Sequence, residues 1–136
     1  MASVVELAQR GYALFLKGDV PTLIAELVDE DCQCILSGPR NTLPWAGAFR
    51  GKAGVAEFFS RLARSVDFTS FEPRQMIADG DSVAIVGVST GQVKASGKTF
   101  RNEWVHVCRY RDGRLVYFRD YSDTAALVEA VGGASA

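Results

Sequence analysis

Histidine is nearly absent from this chain: His106 is the only one in 136 residues, and cysteine is confined to Cys32, Cys34 and Cys108. With one imidazole available, and with Cys32 and Cys34 expected on alternating faces of one strand, no zinc site is expected. Free, buried thiols in a reducing compartment are expected instead. Also missing is any apolar run near the roughly 20 residues that a bilayer-crossing helix needs. The N-terminus has no basic segment followed by a hydrophobic core, so no export signal is expected and the location expected is cytoplasmic. Nor is there an excess of one charge: 15 basic and 16 acidic side chains are interspersed. That balance argues against nucleic acid or an anionic membrane as partner.

What is there suffices for one core. A length of 136 residues with 48% hydrophobic content supports a single domain over 1–136 and is short for two. Val4, Val5, Ala8, Gly11, Tyr12, Phe15 and Leu16 recur at helical spacing, and Lys17-Gly18-Asp19 closes that helix and caps the next. Asp19 is the expected N-cap. Pro21 falls in the first turn, where its missing N–H costs nothing, and Leu23, Ile24, Leu27 and Val28 supply the buried stripe. Cys32 to Ser37 reads as a short strand and 38–47 as a loop, in which Trp45 plugs the end of the core, walls a cavity, or does both. After Gly51, the residues Val55, Phe58, Phe59, Leu62, Ala63 and Val66 make the cleanest amphipathic helix of the chain.

Four strands are expected to follow: Asp67 to Ala78, Ser82 to Ala95, Thr99 to Tyr110 and Leu115 to Tyr121, joined by turns at Asp79-Gly80-Asp81, Ser96-Gly97-Lys98 and Arg111-Asp112-Gly113. Asp123-Thr124 caps a last helical segment through Leu127, Val128 and Val131, and residues 132–136 are expected to fray. Helices first and a meander afterwards predict an α+β fold, with helices on one face of a curved antiparallel sheet. Such a cone can leave its mouth unfilled as a small-molecule pocket.

Candidate chemistry concentrates between Trp104 and Asp123, where His106 is followed by the acid Asp120 on the next strand. Asp112-Gly113 between them is a strong hairpin signal. A two-residue turn sets His106 opposite Arg119 and sends Asp120 to the other face. A three-residue loop, with Gly113 left-handed as a bulge, pairs His106 with Phe118 and Trp104 with Asp120. Trp104, His106, Cys108, Val116, Phe118 and Asp120 then share one face, with His106 and Asp120 diagonal neighbours roughly 7 to 8 Å apart at their backbones. Side-chain pattern alone leaves both registers open; the three-residue loop is the one expected.

Taken in order, the Gly18-Asp19 step, Leu43-Pro44-Trp45-Ala46-Gly47 with Gly51, Trp104 with His106, Asp112-Gly113, and Arg119-Asp120-Tyr121 with Asp123 resemble the SnoaL-like branch of the nuclear transport factor 2-like (NTF2-like) superfamily. The resemblance covers residues 4–131 and implies the cone fold. Its members include polyketide cyclases, ketosteroid isomerases, epoxide hydrolases, dehydratases and non-catalytic binders, so fold alone does not fix activity. In the cyclases similar to SnoaL, a histidine and an aspartate on the last two strands face the cavity, and the aspartate is the acid/base of an aldol ring closure. His106 and Asp120 match those positions. The steroid-isomerase arrangement is matched poorly: Gly11 stands where a phenol is needed, Leu36 or Ser37 near the base, and His106 where a protonated aspartate belongs, so that oxyanion hole is not expected. The Asp-Arg-Asp cluster of epoxide hydrolases is not matched either.

Desolvation of Asp120 beside Trp104 and Phe118 is expected to raise its pKa toward neutrality, where His106 already titrates. The pair then suits a cofactor-independent isomerase, cyclase or dehydratase acting on a hydrophobic carbonyl compound. Two alternatives remain: a module that binds an apolar metabolite without transforming it, and a buried structural pair in which Asp120 bonds Trp104 or Tyr12. Tyr12, Trp45, Phe58, Phe59, Trp104 and Phe118 are the expected walls, with Asn102 and Tyr110 orienting substrate. Arg109, Arg119 and Tyr121 should lie on the outer face, where the resemblance implies homodimer pairing.

Overall fold

The fold begins with a helix whose ends are both written locally. In a computed structural model that describes residues 2–132, α1 spans Val4–Lys17. Ser3 and Glu6 exchange side-chain-to-backbone bonds at its start, and Gly18, at φ 83°, closes it. Asp19 caps α2 (Val20–Leu27) by accepting from the Thr22 N–H at 3.1 Å. Next come β1 (Val28–Leu36), β2 (Gly47–Arg50), α3 (Gly51–Ser65), β3 (Val66–Asp79), β4 (Ser82–Val93), β5 (Thr99–Arg111), β6 (Arg114–Ser122) and α4 (Thr124–Val131). The fraying expected over 133–136 lies outside the described residues.

Six strands form one sheet in the order β2-β1-β6-β5-β4-β3. The meander β3 to β6 is antiparallel as its short turns require, but β1 runs parallel to β6, so the sheet is mixed and not purely antiparallel. Nothing local signals that pairing, since it joins Gln33, Cys34 and Ile35 to Tyr117, Phe118 and Arg119 across most of the chain. Likewise β2 is only four residues long and borrows its order from β1. At the far edge, β3 carries Pro73 beside a register shift, where a missing N–H is tolerated.

On β5 the alternation is strict: Phe100, Asn102, Trp104, His106, Cys108 and Tyr110 are buried on one face. β4 supplies Val83, Ile85 and Ser89 to the same interior, and β1 supplies Cys32, Cys34 and Leu36. Cys32 and Cys34 therefore share a face instead of alternating, because residues two apart on a strand point the same way. The three thiols are free, and no group of potential metal ligands exists among the described residues. No helix of the described residues is long and apolar enough to cross a membrane. The helices close over the inner face, with Ala8 of α1, Leu27 of α2, Val55 and Phe58 of α3, and Leu127 of α4 buried in the core.

Candidate active site

The hairpin between β5 and β6 turns in two residues, Asp112 and Gly113, both with positive φ (52° and 77°), and Arg111 faces Arg114. The expected three-residue loop is therefore not formed. Left uncorrected, a two-residue turn would send Asp120 outward. Instead the register shifts between Arg109 and Tyr110: Tyr110 faces Leu115 while Arg109 faces Tyr117, leaving Val116 as the extra residue. That bulge moves every later pair by one. His106 stands directly opposite Asp120, and Trp104 opposite Ser122, in place of the expected His106–Phe118 and Trp104–Asp120 pairs. Trp104, His106, Cys108, Phe118 and Asp120 do share the inner face, and Val116 does not join them at the cavity.

His106 and Asp120 are both buried, at 8% and 6% exposure, and sit within one hydrogen-bonded chain. The Tyr12 hydroxyl lies 2.6 Å from His106 Nδ1, and His106 Nε2 lies 3.2 Å from Asp120 Oδ1. Ser37 donates to Asp120 Oδ2 at 2.9 Å, and the Ser122 hydroxyl reaches both carboxylate oxygens at 2.8 Å. Asn102 donates to Ser122 Oγ at 3.1 Å and accepts from the Asp123 N–H at 2.8 Å, so it braces the carboxylate's partner and the start of α4. Asp120 thus bonds neither Trp104 nor Tyr12 directly; the indole N–H of Trp104 is buried with no partner. Ser37 and Ser122 escaped the sequence prediction. Ser122 is legible in principle, being two residues from Asp120 on one strand, but Ser37 arrives only through the β1–β6 pairing.

Electrostatics follow from these contacts. Burial pushes the Asp120 carboxyl upward, but the hydrogen bond and charge of His106, with the Ser122 and Ser37 hydroxyls, outweigh it and hold Asp120 below the usual carboxylate range. The expected rise toward neutrality is reversed because those donors replace the water that burial removes. Burial also pulls His106 below its ordinary value, and the attraction of Asp120 does not offset it. At neutral pH the chain is therefore a phenol donating to Nδ1, a neutral imidazole donating from Nε2, and a carboxylate accepting. Tyr12 is held protonated by burial, then by Cys108, Tyr110 and Asp120. The Cys108 thiol is pushed up to about 12 by burial, so it stays protonated too.

Around this chain lies a cavity of about 160 Å³. Tyr12, Trp45, Phe58, Phe59, Asn102, Trp104, Tyr110 and Phe118 line it, together with His106 and Asp120. Trp45 is also 5% exposed and part of the core, so it plugs and walls at once. His106 stacks on Trp104, with ring centres 4.0 Å apart and planes 14° from parallel, and Tyr12 lies 12° from the imidazole plane. A phenol does therefore enter the site, from Tyr12 beside Gly11. Its partner is a neutral imidazole and the nearby acid is ionised, so the phenol with neutral carboxylic acid used by steroid isomerases is not assembled.

The outer face of the same hairpin carries Arg109 over Tyr117 at 5.1 Å and Arg119 over Tyr121 at 5.2 Å. Comparison with known proteins gives a consistent answer. A family model described as the SnoaL-like domain matches residues 8–118, a span that includes His106 and stops just short of Asp120. The crystal structure of an NTF2-like protein from Burkholderia xenovorans LB400 is 32% identical, covering 96% of this chain and 98% of that one, with a TM-score of 0.85. A provisionally named isomerase from Bacillus subtilis is 26% identical, covering 96% and 93%, with a TM-score of 0.81. The uncharacterized protein YesE of Bacillus subtilis strain 168 is 28% identical over 85 residues, 61% of this chain, and the match spans 58% of its own length. With a four-helix, six-strand open cone and a family match over most of its length, the chain belongs to the SnoaL-like domain family of NTF2-like proteins.

Proposed function

We propose that the cavity binds a hydrophobic carbonyl compound and that His106 and Asp120 serve a cofactor-independent isomerisation, cyclisation or dehydration. The observation that carries this reading is the buried chain Tyr12–His106–Asp120 on the cavity wall. A substrate carbonyl that takes the Tyr12 hydroxyl hydrogen bond frees His106 Nδ1 to accept a proton alpha to that carbonyl. Asp120 stays ionised on Nε2 and stabilises the imidazolium that forms, which then returns the proton to the enolate or to a leaving oxygen. The provisional isomerase name of the Bacillus subtilis relative agrees with this chemistry.

A second reading, a binder without turnover, is favoured by one fact: three side chains already occupy both oxygens of Asp120. The two readings separate on proton exchange. Acetophenone in D2O should gain deuterium at its methyl group in the presence of the protein, and His106→Ala should slow this by about 100-fold or more. Exchange that persists in the His106→Ala, Asp120→Asn double variant removes the proton-carrying role. Binding with no exchange by the native chain leaves the binder. For the outer face of β5 and β6 we propose homodimer pairing through Arg109, Arg119 and Tyr121; a monomer in sedimentation equilibrium would end that reading.

A further inference from the structure

We infer that the ligand is an uncharged compound of one ring whose single hydroxyl or carbonyl group is set against Tyr12. The inference rests on the cavity being the ligand site, and it limits size and charge. The cavity measures about 160 Å³. That is close to the roughly 150 Å³ apolar cavity known to hold benzene, and well under the roughly 300 to 1,000 Å³ of drug-sized sites. Several rings would have to displace walls such as Trp45 and Phe58, which are 5% and 7% exposed and packed in the core.

Charge is limited by what the lining lacks. Among the described residues no lysine, arginine or glutamate lines the cavity, and Asp120 is the one acid that does. An anion would therefore lose its hydration with no cation to meet it and with Asp120 nearby to repel it. A cation is drawn to the same charge, but His106, Ser37 and Ser122 already fill the oxygens of Asp120, so none is left free to replace the hydration an ammonium group loses. Beside His106, the anchor for a neutral polar group is Tyr12. Tyr12 donates its hydrogen bond to His106 Nδ1 and keeps its oxygen lone pairs for an incoming donor, or turns that hydrogen bond to an incoming carbonyl.

Titration of the full chain with acetophenone, phenol, benzoate, benzylamine and a four-ring steroid ketone tests this, followed through the ring nitrogen resonances of His106. Acetophenone and phenol should bind and shift those resonances, and benzoate and benzylamine should bind at least about tenfold more weakly. The steroid should not bind. Benzoate, benzylamine or the steroid binding as tightly as acetophenone, or none of the five binding, overturns the inference. Acetophenone that binds but gains no deuterium leaves the ligand class standing and removes only the proton-carrying reading. A steroid ketone that exchanges while one-ring compounds do not bind does the reverse.

Discussion

The two faces of the β5–β6 hairpin are built from alternate residues of the same strands, yet they treat charge in opposite ways. On the outer face Arg109 and Arg119 lie over Tyr117 and Tyr121, and Tyr121 is 51% exposed. Arg109 is exposed, so water solvates its charge and its contact is worth little, while the half-buried Arg119 has its Nε out of reach of water and without a hydrogen-bond partner. On the inner face Asp120 keeps its charge only because His106, Ser37 and Ser122 replace the water it lost. One-residue alternation thus separates decoration from a structure-dependent site. Burial alone would have neutralised the acid; burial with donors keeps it ionised and leaves the histidine neutral instead.

The sharpest way to break this contrast is Asp120→Ala, which strands His106 and two hydroxyls in the interior. It should cost about 3 kcal/mol in urea unfolding; a loss no greater than that of an outer-face variant would mean the inner chain is not coupled. Next is Gly87→Ala, because a methyl group there would meet the Trp104 ring and come within 2.7 Å of the Glu72 carbonyl oxygen. About 2 kcal/mol of destabilisation is expected by thermal unfolding, from overpacking of the wall under His106. Ser122→Ala removes one donor from Asp120 and the acceptor of Asn102, for about 1 kcal/mol. Smallest is Arg109→Ala on the outer face, expected at about 0.5 kcal/mol.

Acid titration sharpens the same contrast. Both inner groups have folded pKa values below their unfolded ones, so in both cases the unfolded chain binds more protons as pH falls. Stability should therefore begin to decline below about pH 6.5, where an unfolded histidine protonates, and decline again below about pH 4 as an unfolded aspartate does. His106→Gln should erase the first step in urea midpoints measured against pH and retain an acid-side step. A first step that persists in His106→Gln would assign it elsewhere.

Much of the fold was legible because its signals are local. Asp19 and Asp123 cap, Gly18 stops, and apolar residues recur at helical spacing in α1 and α3. On β5 strict alternation marked the buried face, and with it the side of His106. The hairpin register was not legible. Asp112-Gly113 signals the two-residue turn that forms, but no short-range pattern encodes the bulge at Val116, on either side of which Leu115 and Phe118 pack against the core. Sharing of a face by His106 and Asp120 was anticipated through a different turn from the one that achieves it.

By itself, the sequence determined the order of the elements apart from β2, the caps at Asp19 and Asp123, the inward side of β5 and the identity of the two groups that matter, since only one histidine exists and the last strand offers one acid. Those are properties of neighbours along the chain. Tertiary structure alone decided that Asp120 is ionised and His106 neutral, because Ser37 comes from β1 and Tyr12 from α1, separated from their partners by 83 and 94 residues. A protonation state is the sum of burial and hydrogen bonds at one point in space, and that point is assembled only when β1 docks on β6 and α1 closes over the sheet.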